Sequence, residues 1–86
     1  MKHLNKLPYK EDLKELAEDI GNLYYDSLAE FLQHLSDKLQ KDSDADLKRG
    51  RTNLSAWLSS SSNFLNSAAG HINYAWRICE PYIKKE

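Results

Sequence analysis

Apolar residues recur along the first half of this chain at Tyr9, Leu13, Leu16, Ile20, Tyr24, Leu28, Phe31, Leu35 and Leu39, always three or four positions apart. Side chains so spaced share one face of an α-helix, which completes a turn about every 3.6 residues. The second half is as regular. Leu47, Leu54, Leu58, Leu65, Ala68, Ile72, Ala75, Cys79 and Ile83 fall on one stripe, with Trp57, Phe64 and Tyr82 flanking it on one side and Trp76 on the other. A chain built of two such stripes is all-α.

The ends of the two elements follow from local chemistry. Pro8 suits a first helical turn, where its missing N–H is unpaired anyway, and Glu11 and Asp12 suit the positive end of the helix dipole. Gly21-Asn22 is the obvious break, yet the stripe keeps its phase across it. The expectation is one helix from about residue 8 to about residue 41, bent at Gly21. Lys41-Asp42-Ser43-Asp44-Ala45-Asp46 is rich in side chains that bond locally to backbone. It reads as a loop over about 42–45 that ends in an N-cap at Ser43 or Asp44. A second helix from about 45 to about 80 follows, passing Gly50 and Gly70 in phase and stopped by Pro81.

Two helices of this length joined by a short loop make an antiparallel αα-hairpin. With the turn centred on Asp44, partner numbers sum to about 88. Leu16 then meets Ile72, Ile20 meets Ala68, and Phe31 meets Trp57. Pro8 lies level with Pro81 and Gly21 nearly level with Gly70, while Ser27 opposite Ser61 forms a polar layer in the seam. With 86 residues the chain is a single domain whose own core is marginal. A bare hairpin leaves half of each stripe wet. Pairing two hairpins into a four-helix bundle covers both, which points to a homodimer or to docking on another protein. The alternative is that Gly21 and Gly70 break the helices and the chain folds back as a compact three- or four-helix monomer.

Charge is unevenly placed, although the formal net charge is only −1 and directs the chain neither to nucleic acid nor to a membrane. From Thr52 to Trp76 there is no Asp, Glu, Lys or Arg. The stretch is polar through Ser and Asn, and it holds Trp57, Phe64, Tyr74 and Trp76. Interface centres are depleted in charge and enriched in aromatics, so these four are the candidate anchors of a protein-binding face. Tyr74 falls outside the stripe and is expected to be exposed. The first helix is acidic instead: Glu11, Asp12, Glu15, Glu18, Asp19, Asp26, Glu30 and Asp37 outnumber Lys10 and Lys14. Basic residues gather around the turn, where Lys41, Lys48, Arg49 and Arg51 are candidate phosphate contacts. Asp42, Asp44 and Asp46 oppose them, and no base-stacking aromatics stand beside them.

No chemistry-bearing constellation emerges. Glu30, His34 and Asp37 share a helical face, but no ExxH or CxxC pair accompanies them, so no metal centre or cofactor is expected. Cys79 lies on the apolar stripe as a small hydrophobe, two turns from His71 and out of proton-transfer reach. The serine run lacks a nucleophile elbow, and the three glycines form no phosphate loop. One cysteine allows no internal disulfide. Neither a leader sequence nor an apolar run of about 18 residues is seen, and the cytoplasm is the expected setting. The expected function is a non-enzymatic protein–protein interaction module: an adaptor, an inhibitor or a small assembly subunit. The alternative is a nucleic-acid accessory protein contacting phosphates through the turn.

Overall fold

The structure, a computed structural model, describes His3 and residues 12–83. Regular structure among the described residues is helical throughout. Helix α1 spans Leu13–Gly21, α2 spans Tyr25–Lys48 and α3 spans Thr52–Cys79, and a 3-10 turn covers Glu80–Tyr82. α2 and α3 pack along one another as an antiparallel hairpin, and α1 meets it only lightly. The expected start of the first helix at Pro8 lies outside the described residues.

The expected first helix is two helices. Asp12 caps α1, its Oδ1 accepting the Glu15 N–H at 2.8 Å. At the other end the Asn22 N–H bonds the Glu18 and Asp19 carbonyls at 3.0 and 3.2 Å. Tyr24 then turns extended at φ −53° and ψ 148°. Gly21 and Asn22 are weak helix formers in succession. The Tyr24 ring lies 5.8 Å from that of Trp76, tilted by 39°, and this contact fixes the link between α1 and α2. Gly70, by contrast, sits inside an unbroken α3.

The turn also falls later in the chain than the expected loop over 42–45. α2 runs through that segment to Lys48. Its polar residues are tied one helical turn back: Lys38 Nζ donates to Asp42 Oδ1, and Gln40 Nε2 donates to Asp44 Oδ1 at 3.1 Å. Pairs at this spacing favour helix, and Ser43 and Asp44 therefore cap nothing. The helix is closed two residues beyond Lys48 by Gly50, whose φ of 77° is a left-handed conformation that side chains disfavour. The Gly50 N–H bonds the Leu47 carbonyl and the Arg51 N–H bonds the Asp46 carbonyl, at 3.0 and 2.9 Å. This is a Schellman ending, and it reverses the chain into α3 within three residues.

The shifted turn resets the register. Ser36 Oγ donates to the Ser62 carbonyl and Ser62 Oγ to the Ser36 carbonyl, both at 2.7 Å. Ser43 Oγ donates to the Ser55 carbonyl at 2.7 Å. Partner numbers thus sum to 98 rather than to about 88. The same register sets Ala29 level with Ala69, and both are buried. The pairs expected from the earlier turn, Leu16–Ile72, Ile20–Ala68, Phe31–Trp57 and the Ser27–Ser61 layer, do not form the seam. The seam has two polar layers instead of one, at Ser36–Ser62 and Ser43–Ser55.

Small residues seven apart therefore make the seam. α2 contributes Ala29, Ser36 and Ser43, and α3 contributes Ser55, Ser62 and Ala69, all of them buried. Among the described residues no large side chain is fully buried. Small side chains let two helix axes approach closely. The hydroxyls of Ser36, Ser62 and Ser43 donate to carbonyls across the seam and that of Ser55 meets the Ser43 hydroxyl at 2.9 Å, so among the described residues burying them leaves no orphaned polar group. The leucine stripes expected to fill the seam lie beside it.

Candidate functional site

Where those stripes go follows from helix rotation. Relative to the seam residues, positions three after (Leu32, Leu39; Leu58, Leu65, Ile72), one before (Leu28, Leu35; Leu54, Ala68, Ala75) and two after (Phe31; Trp57, Phe64, Ile78) are all rotated in the same sense about their helix. In an antiparallel pair, equal rotations fall on the same side. Both stripes therefore share one face of the hairpin. Positions four and one after the seam share the opposite face, and two observations agree. Ser59 Oγ bonds Gln40 Oε1 at 3.3 Å. A shallow groove lies between Asp26, Glu30 and Gln33 of α2 and Asn66 and Asn73 of α3.

The apolar face is open. Trp57, Phe64 and Ile78 are 74, 75 and 73% exposed, and Phe31, Leu35 and Leu54 are exposed as well. On α2 the face closes toward the turn, where the Lys38–Asp42 ion pair occupies it at 2.6 Å. On α3 it continues along the helix, interrupted by the exposed His71, two after Ala69.

The four aromatics singled out in the sequence do not gather. Trp57 and Phe64 stand on the apolar face. Tyr74 is exposed on the other side, with Arg77 Cζ 5.4 Å from its ring centroid. Trp76 is half-buried at the end of the seam against Tyr24. Sequence reasoning missed Ile78, Leu54, Phe31 and Leu35 as members of an open face. The usable signal was the seven-residue repeat of Ala and Ser, which marks the seam and assigns the apolar residues to its flank.

The basic residues also divide. Arg49 and Arg51 both turn onto the buried carboxylate of Asp46, with Nη1 to Oδ1 distances of 3.7 and 3.3 Å. Lys41 and Lys48 are exposed on α2. His34 Nε2 stands 3.5 Å from Glu30 Oε1 with both side chains exposed, while Asp37 accepts from Gln33 instead. His71 Nδ1 bonds the Ser67 carbonyl within its own helix at 2.7 Å. Cys79 is half-buried, its Sγ 3.7 Å from the Trp76 carbonyl. No three His, Cys, Asp or Glu side chains among the described residues stand together as a metal site. No described helix is long and apolar enough to cross a membrane. Comparison with protein-family models, curated proteins and solved structures returns no match.

Proposed function

We propose that this chain is a non-enzymatic interaction module that docks on protein through the apolar face of its hairpin. The observation that carries the reading is the exposure of Trp57, Phe64 and Ile78 on one face with the leucines of both helices beside them. Contiguous apolar surface of this kind marks a site of association, and large aromatics supply most of the energy once desolvated. The absence of charge from Thr52 to Trp76 supports it, because docking along this part of α3 strips no Asp, Glu, Lys or Arg of water, and on α2 the Lys38–Asp42 pair bounds the face toward the turn. The occupant is another protein or a second copy of the chain. A reducing setting such as the cytoplasm suits its single free cysteine. Phosphate contact at the turn is the weaker reading, since Asp46 already engages Arg49 and Arg51.

The test is site-specific photo-crosslinking in the cell. A photoreactive residue at Phe64 is expected to give discrete protein adducts, and one at His34 on the polar side none. Adducts at neither position, or only to nucleic acid, refute the reading.

A further inference from the structure

We propose that the occupant is a second copy of this chain, docked so that α3 lies antiparallel on the other copy's α3 and α2 on its α2, with the two-fold axis near Phe64. This rests on the reading of the apolar face as a protein-docking surface and names its partner.

Three observations carry it. The first is length. Leu54, Trp57, Phe64 and Ile78 stand exposed along α3 with Phe31 and Leu35 beside them on α2, an apolar row about 36 Å long at 1.5 Å per residue, long enough to seat a second hairpin.

The second is charge. Asp12, Glu15, Glu18, Asp19 and Asp26 outnumber Lys14 on α1 and the adjoining start of α2, whereas at the turn Lys41, Lys48, Arg49 and Arg51 outnumber Asp42, Asp44 and Asp46 even with Asp46 engaging both arginines. Docking with both turns at one end would set acid against acid and base against base. Antiparallel docking sets each acidic end beside the other copy's turn.

The third is shape. The uncharged stretch from Thr52 to Trp76 is centred on Phe64. Ser61 and Ala68, one position before the seam, point toward a helix lying over the apolar face, and their small size lets that helix come close. In the seam's register Phe64 is level with His34, so an axis there overlaps most of both helices of each copy.

Light scattering on the full chain across a dilution series is expected to give twice the 10.0 kDa chain mass at high concentration, falling on dilution. Association is expected to weaken as salt rises, because the ends attract. A single-chain mass at every concentration, or association strengthened by salt, overturns the proposal. Orientation is read in a Cys79→Ser background. Two Cys at Phe64 sit beside the axis, whereas two at Trp57 lie about 21 Å apart along the helices. A short bis-maleimide is expected to link Phe64→Cys chains and not Trp57→Cys chains. No link at Phe64, or equal links at both, overturns the arrangement. Should these variants fail to fold, the mass and salt response of the unaltered chain still decide. A monomer that nonetheless gives adducts to a different protein at Phe64 in the cell defeats this proposal and leaves the docking reading standing.

Discussion

Ser36 and Ser62 each place a hydroxyl on the other's backbone carbonyl, and these paired bonds set the distance between the two helices at that point. Ser36→Ala with Ser62→Ala keeps the size and removes two bonds, each worth about 1 kcal/mol net. Ser36→Leu adds volume where there is none and is expected to cost about 1–3 kcal/mol, despite being the more apolar change. Denaturant midpoints of these variants against the unaltered chain check both costs. A leucine that stabilises would mean that the helices do not meet at Ser36. Gly50 and Gly70 make a second contrast. Neither has a neighbour within 4 Å of an added Cβ, but only Gly50 has a positive φ. Gly50→Ala is expected to destabilise by about 1 kcal/mol, and Gly70→Ala, in a helix interior, to stabilise by up to about 1 kcal/mol. The same denaturation series reads both.

The elements were legible in part. Periodicity of 3.6 identified helical segments in both halves, and the hairpin follows from them. The boundaries were not legible, for reasons visible in single residues. Asp42, Ser43 and Asp44 have the composition of a loop, yet each is bonded in place by Lys38, the Ser55 carbonyl and Gln40. Those partners are evident only once the segment is helical. Gly50 looked like a glycine tolerated in phase, because a sequence does not display φ. The apolar stripe continued across Gly21, because Tyr24 keeps its spacing while leaving the helix to meet Trp76. For the candidate face the apolar stripes were assigned to the seam, with a single serine layer at Ser27–Ser61, whereas Ala29, Ser36, Ser43, Ser55, Ser62 and Ala69 fill it. The register is checked by paired cysteines in a Cys79→Ser chain. Ser36→Cys with Ser62→Cys is expected to close a disulfide within one chain, and Ser27→Cys with Ser61→Cys to remain reduced. The opposite result would restore the earlier turn.

At the scale of the molecule, a hairpin whose seam holds alanine and serine buries little apolar surface, and Leu54, Trp57, Phe64 and Ile78 of α3 with Phe31 and Leu35 of α2 are left on one open side. The proposed covering of that side would supply the stabilisation the seam does not. A charge placed there is then expensive. Phe64→Glu is expected to raise the dissociation constant of the pair at least about tenfold, a cost of about 1.4 kcal/mol, whereas Asn63→Glu, on the opposite side, is expected to leave it unchanged. Concentration-dependent light scattering compares them. The most direct measurement of the covered face is the fluorescence of Trp57 in a Trp76→Phe chain, which leaves it the sole tryptophan. The proposed covering of the face predicts a blue-shifted emission and weak acrylamide quenching at high concentration, both reverting toward those of a free indole on dilution. Emission and quenching of a fully hydrated indole at every concentration would contradict it.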